Sequence, residues 1–456
     1  MKNICFNTIK RLYSSQFLKK KVCIVGAGPA GFYAAQHLIK CLDSVQVDIY
    51  ERLPVPFGLV RFGVAPDHPD VKNVIHTFTK TAENPNVRFI GNVNLGTDVT
   101  LKQLRAAYDC VLLTYGAEES RKLDIPGENL SNVIPARRIV GWYNGVMQDV
   151  ELKIDLSGPT VAIFGQGNVA IDVARILLTP IDQLKGTDIT QHSLEALSRS
   201  KVKEVYLIGR RGPLQAAYTI KELREMLKLP NCKTIWCKKD FTGVSDVVSN
   251  LLRPKKRITE LMLKSLKENA SGEKLFKPLF FKSPLELLGT SKIEKVMLGT
   301  TELYGDDVVN KSAKLTGFKE YLECDLAVTS IGYKSIQVDN DIPFEANNGR
   351  VINKMGKVDK GLYVTGWLAT GPFGVILTTM NNSFSTAELI CHDLREETSV
   401  KRGYEDIIER LKKQNVQLVT WEGWKKIDDY EQKQGKKIGK PREKLLDVTK
   451  MLEIAL

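Results

Sequence analysis

The chain has 456 residues, 43% of them hydrophobic and 26% charged, with a formal net charge of +13. That balance excludes a disordered chain and suits two or three globular domains, each with its own core. No stretch approaches 18 consecutive apolar residues, so no membrane-spanning helix is expected.

The chain opens with Lys2, Lys10, Arg11, Lys19, Lys20 and Lys21, and its first carboxylate is Asp43. Basic, hydroxyl and apolar residues mix up to Phe17, and no continuous apolar core follows the charges. Residues 1–20 therefore read as a mitochondrial presequence rather than a secretory signal. Without these six cations the net charge is +7.

Residues 22–31, Val-Cys-Ile-Val-Gly-Ala-Gly-Pro-Ala-Gly, predict a strand, a glycine turn and a helix start. Gly26 permits the tight turn, Gly28 lets the backbone approach a pyrophosphate, and Gly31 allows close packing of helix on strand. Free N–H groups at the helix start receive negative charge. A second strand, Val45 to Tyr50, ends in Glu51. A carboxylate there accepts both ribose hydroxyls of an adenosine and repels a 2′-phosphate, which suits FAD or NAD and argues against NADP. The segment from Pro54 to Pro69 has proline, glycine and apolar residues without period. It reads as a long structured loop or as the lining for a flat ligand.

Residues 161–170, Val-Ala-Ile-Phe-Gly-Gln-Gly-Asn-Val-Ala, repeat the pattern as GxGxxA, and helical character continues to Leu178. Thr179 to Ser200 reads as a helix extension or an excursion. The next strand, Val205 to Ile208, runs into Gly209-Arg210-Arg211-Gly212-Pro213, so two guanidiniums stand where the first site has one carboxylate. An arginine there binds the 2′-phosphate of NADP by a bidentate, charge-assisted contact. Two fingerprints of opposite charge preference imply two dinucleotides, a permanently bound flavin and a diffusible hydride donor.

Val111 to Ala117 and Leu326 to Tyr333 look like paired exit and return strands, which places boundaries near 118 and 332. The expected organisation is α/β, with a first dinucleotide-binding domain from 21–118 and 333–456 and a second, 119–332, inserted in it. Gly361 to Trp367 reads as a strand closing on a turn. Gly371-Pro372-Phe373-Gly374-Val375-Ile376 follows, then a helix from about Leu377 to Asp393. The cysteines at 5, 23, 41, 110, 232, 237, 324 and 391 show no CxxC pair and no close spacing that would hold zinc or an iron–sulfur cluster, so no metal is expected. Cys23 and Cys110, in apolar runs, read as buried hydrophobes. Without a dithiol relay, electrons must pass from a bound cofactor directly to an external acceptor.

With these residues in view, the chain resembles the adrenodoxin reductases, mitochondrial NADPH:ferredoxin oxidoreductases, in their animal version. The runs that carry the resemblance are VPFGLVRFGVAPDHP (55–69), GQGNVAIDVARILLTP (165–180), GRRGPLQAAYTIKELREM (209–226), SIGYKS (330–335) and GKPREKLLD (439–447). It implies two Rossmann-like domains of the glutathione-reductase type, with FAD and NADPH as cofactors. Carried over by matching motif, FAD contacts fall at Ala30, Glu51, Leu59, Leu95, Trp367 and Gly374 to Ile376, Val375 included, beside Gly26, Gly28 and Gly31. NADP contacts fall at Gln166, Gly167, Asn168, Val169, Arg210, Arg211, Glu222 and Gly374. Leu95 stands where the family often has valine, and Phe373 replaces a more usual small polar residue. His68 and Asp172 are a proton-managing pair in this reading, able to balance the charge of reduced flavin near neutral pH. The chemistry itself, hydride passing between stacked rings, asks mainly for positioning.

The resemblance also implies a partner, an acidic [2Fe-2S] ferredoxin like adrenodoxin, serving mitochondrial cytochromes P450 or iron–sulfur cluster assembly. Arg253, Lys255, Lys256 and Arg257, with Arg224 on the preceding helical stretch, form the expected docking strip, and Lys436, Lys437, Lys440, Arg442 and Lys444 form a second basic run. No aromatic-interleaved or groove-binding motif accompanies them, so nucleic acid is not expected. Peripheral contact with the inner membrane stays compatible with the sequence. Two other readings are a non-catalytic NADPH sensor and a reductase subunit like the small subunit of glutamate synthase. Relatives of the latter kind usually carry a cysteine-rich cluster segment, which this chain does not have.

Overall fold

The computed structural model describes residues 19–268, 271–374, 376–395 and 401–456. Nearly all of the expected presequence, and Val375, lie outside the described residues.

Two six-stranded sheets organise the chain. The first runs in the order Lys357–Asp359, Leu362–Val364, Cys110–Leu113, Lys20–Val25, Val45–Glu51, Val87–Gly91. All of its pairings are parallel except that of the first-named edge strand. The second runs Val133–Pro135, Leu326–Thr329, Thr160–Phe164, Glu204–Ile208, Lys274–Leu279, Cys232–Thr234, parallel throughout. Strands covered on both faces need no polar alternation, which is why VCIV, CVLL, VAIF and LAVT read as unbroken apolar runs. Cys23 and Cys110 are fully buried among them, as expected.

In each sheet the strand before the glycine turn has its successor on one side and a strand from much later in the chain on the other. That is the topological switch point, where the carboxyl ends of an open α/β sheet leave a crevice. Gly26 sits at φ +114°, and a Cβ there would lie 2.8 Å from the Thr114 backbone of the strand across the switch point. Gly165, at φ +141°, would run into the Ser330 carbonyl in the same way. The two halves are thus built alike at the level of individual contacts.

The pairing expected between Val111–Ala117 and Leu326–Tyr333 does not occur. Each run is a central strand of its own sheet, and the antiparallel contact forms just beyond them, between Glu119–Ser120 and Tyr333–Lys334. Thr179 to Ser200 is an excursion with two short helices, Ile181–Leu184 and Gln191–Ser198. A three-stranded antiparallel sheet of Lys282–Leu288, Lys295–Tyr304 and Ser312–Glu323 was not foreseen.

The end of the chain ties the halves together. Lys440 Nζ donates to the Ile189 carbonyl at 2.8 Å, Lys444 Nζ reaches Asp188 at 3.2 Å and Asn144 at 3.3 Å, and Glu443 accepts from the Gln191 amide. On the other side, Glu431 is fully buried and accepts from Arg61, Arg442 and the Leu445 amide. Lys440 and Lys444 are therefore interior residues, and the run from Lys436 to Lys444 is not the exposed basic patch its composition suggested. Burial holds the Lys444 ammonium down at about 7 against the pull of Asp188.

Candidate functional site

The helices Pro29–Cys41 and Asn168–Leu178 both begin at a glycine in extended conformation, Gly28 and Gly167, with no side chain capping either end. Their first amides thus lack intrahelical acceptors and face outward as donors for an anion. A Cβ on Gly28 or Gly167 would meet nothing within 4 Å, so each turn opens onto free space where a phosphate backbone fits. At the second turn the buried Gln166 Oε1 has no hydrogen-bond partner among the described residues, while its amide donates to the Leu207 carbonyl at 2.8 Å.

Around the first turn, Glu51 accepts from the Ala27 amide at 2.9 Å and the Leu53 amide at 3.2 Å, which fixes its carboxylate at the strand end. Burial pushes its pKa up, and these amides pull against that rise. The Pro54–Pro69 segment closes over the turn: Phe57 N donates to the Ala27 carbonyl, and a Cβ on Gly58 would sit 3.1 Å from Gly28 Cα. Leu59, next in line, is 42% exposed, so it offers an apolar surface at the rim. Ala30 lies against Gly366, and Trp367 stacks on Tyr333 at 6.2 Å. Gly374 takes φ +82°, which a side chain rarely adopts. Leu95 is buried and packs in the core with Val93 and Val99.

Around the second turn, Asn168 accepts from the Thr219 amide and so anchors the helix Ile220–Leu227, which carries Glu222, to the glycine motif. Arg210 is exposed and Arg211 half-buried. Burial, then the charge of Arg210, lowers the pKa of Arg211; burial, then Arg211, lowers that of Lys255. Lys255 Nζ is held by the Ala216 carbonyl at 2.7 Å. None of the three has a carboxylate partner among the described residues. Three cations gathered without a counter-ion suit a phosphate better than they suit each other. The sequence assigned Lys255 to the docking strip; only the fold brings it beside Arg211.

His68 and Asp172 do come together, with Glu222 completing a group whose ligand-type atoms lie within 4.8 Å of one another. His68 Nε2 is 2.5 Å from Glu225, a partner the sequence did not suggest because the residues are 157 positions apart. Arg175 anchors the cluster, meeting Asp67 at 2.6 Å, Asp172 at 2.9 Å and Glu222 at 3.1 Å. Burial first, then Asp172, pushes Glu222 up to about 8. The group can hold a proton near neutral pH.

Arg224 lies exposed on the helix Ile220–Leu227, which packs against the helix Arg253–Ser265 bearing exposed Arg253 and Arg257 and half-buried Lys256. None of these four has an ion-pair partner among the described residues. Arg253, Lys255 and Lys256 occupy the first turn of their helix and Arg257 opens the second; at that end the helix dipole favours anions and penalises first-turn cations by a few tenths of a kcal/mol each. The arrangement costs the fold and neutralises nothing among the described residues.

The pyridine nucleotide-disulphide oxidoreductase family model matches residues 20–228. The mitochondrial NADPH:adrenodoxin oxidoreductase of Drosophila melanogaster is 53% identical over 451 residues, covering 96% of this chain and 93% of the relative. The human protein of the same name is 48% identical, covering 97% and 93%. Among solved structures, Mycobacterium tuberculosis FprA in complex with NADPH superposes with a TM-score of 0.92 at 37% identity, covering 96% of this chain and 99% of its own.

Proposed function

The chain belongs to the family of mitochondrial NADPH:adrenodoxin oxidoreductases, and on that footing we propose that it is a mitochondrial FAD-dependent reductase that takes hydride from NADPH and passes electrons singly to a small acidic [2Fe-2S] ferredoxin. The observation that carries this reading is the opposite charge at equivalent places: Glu51 after the second strand of one sheet, and Arg210 with Arg211 after the second strand of the other. We place the boundaries of the two nucleotide-binding units near 118 and 332. Contact with the inner membrane would be peripheral, since no described helix is long and apolar enough to cross.

When bound, the nicotinamide supplies hydride and the flavin supplies the change from two-electron to one-electron chemistry. The chain's own part is to bind, align and compensate charge. The Gly28 turn and Glu51 hold the flavin nucleotide, with Ala30, Leu59, Trp367, Gly374 and Ile376 around it. Gln166, Gly167, Asn168 and Val169 receive the second pyrophosphate, and Arg210, Arg211 and Lys255 its 2′-phosphate. His68 with Glu225, and Asp172 with Glu222 and Arg175, keep a proton available beside the nucleotide sites. Arg224, Arg253, Lys256 and Arg257 receive the ferredoxin.

Anaerobic addition of NADPH to the purified protein tests the core of this. The expected result is a yellow protein whose visible flavin band bleaches with NADPH and far more slowly with NADH. A colourless protein, or a band indifferent to both, contradicts the reading.

A further inference from the structure

His37 and Cys41 lie one turn apart on the helix Pro29–Cys41, and Glu388 and Cys391 lie one turn apart on the helix Ile376–Arg395 packed against it. His37 Nε2 is 2.8 Å from Glu388 Oε2, and Cys41 Sγ is 3.7 Å from the same oxygen. All three ligand-type atoms fall within 4.8 Å of one another. The thiol of buried Cys391 neighbours that of Cys41, just outside this tight group of three. We propose that His37, Cys41, Glu388 and Cys391 form a binding site for a thiophilic divalent cation of the zinc class.

The geometry is close to what such an ion needs. Ligands at roughly 2.0–2.3 Å in a tetrahedron stand about 3.3–3.8 Å apart, so the Cys41–Glu388 spacing already fits and the His37–Glu388 pair has only to open slightly. Two sulfurs, one imidazole nitrogen and one carboxylate oxygen make a set soft enough to favour zinc over magnesium or calcium. The two helices run side by side in the same direction, because Tyr33 and His37 both meet Phe384 while Cys41 meets Glu388 and Arg395. Their negative C-terminal ends therefore converge on this cluster, which favours a cation.

The charges also balance. Binding releases the two thiol protons to solvent. Two thiolates and a carboxylate around a doubly charged ion leave one negative charge, and Arg395, 3.7 Å from Cys41 Sγ, compensates it. Both helices start at the glycine turns that open the flavin site, at Gly28 and just after Gly374, so a cation would staple their far ends. As a surface ion pair alone, His37 with Glu388 would add little to stability.

The test is cobalt and zinc titration of the reduced, chelator-treated full-length protein with its flavin in place. Cobalt should bind at a single equivalent with visible d–d bands and a thiolate charge-transfer band, and zinc should displace it and raise the melting temperature. Cys41→Ser should weaken both the charge-transfer band and cobalt binding, and His37→Ala should weaken zinc binding roughly tenfold or more. Cys237→Ser, at an exposed thiol elsewhere, should change nothing. Flavin content and ferricyanide reduction, expected unchanged in all three variants, verify that they fold. Absence of the band, its survival at full intensity in Cys41→Ser, or recovery of a Cys41–Cys391 disulfide without bound metal overturns the proposal.

Discussion

Replacing Arg210 and Arg211 by neutral residues removes charge-assisted bonds worth about 1.5–3 kcal/mol each, so NADPH should lose roughly tenfold to a hundredfold per arginine against NADH. Lys255→Met should remove a further part of the same preference and, like the arginine changes, leave flavin content alone. The comparison of KM for NADPH and NADH, with binding of 2′,5′-ADP against 5′-AMP, decides it; a full preference for the 2′-phosphate in all variants would move the site elsewhere. Glu222 carries a pH effect. Its pKa is raised in the folded protein from 4.5 to about 8, so the protonated form is the one the fold favours. The stability this contributes is complete below the unfolded pKa and is lost as pH rises through about 8. Glu222→Gln keeps a neutral group at all pH values, so its melting temperature should gain on the parent between neutral and mildly alkaline pH. A constant difference across that range would mean that Glu222 ionises freely. The positions of Glu51 and of the arginine pair after the second strand of each sheet were legible because their spacing from a glycine motif carries meaning. Lys255 and Glu225 were not, because they reach their partners from helices far along the chain.

At the scale of elements, the strands and helices of both nucleotide sites were readable, since apolar runs bounded by glycine turns leave few alternatives. The basic run from Lys436 to Lys444 was misread in part for an equally physical reason. A basic composition says nothing about whether lysines find buried acceptors, and Lys440 and Lys444 do. The anchor of this end of the chain is the Glu431 carboxylate, with Arg61 3% exposed beside it. Glu431→Ala strands that guanidinium without a counter-ion and should destabilise the protein by about 3–5 kcal/mol. Urea denaturation measures it, and a loss below 1 kcal/mol would mean that water reaches Arg61. The antiparallel sheet after Leu279 escaped notice because its strands alternate weakly and Ser312–Glu323 is exposed on both faces.

At the scale of the molecule, the proposed function gives hydride entry and electron exit to different residues. On the reading proposed above, entry would use the crevice at the second switch point, and exit the cationic residues Arg224, Arg253 and Arg257. Opposite charge steers such encounters and is screened by salt over a Debye length of about 8 Å at physiological ionic strength. The most direct measurement is therefore NADPH-driven reduction of a [2Fe-2S] ferredoxin and of ferricyanide by the Arg253→Glu, Arg257→Glu variant, across a range of salt. The expected result is a strongly raised KM for ferredoxin with a flattened salt dependence, and ferricyanide reduction near the parent rate. Equal loss of both activities, or unaltered ferredoxin kinetics, would contradict it.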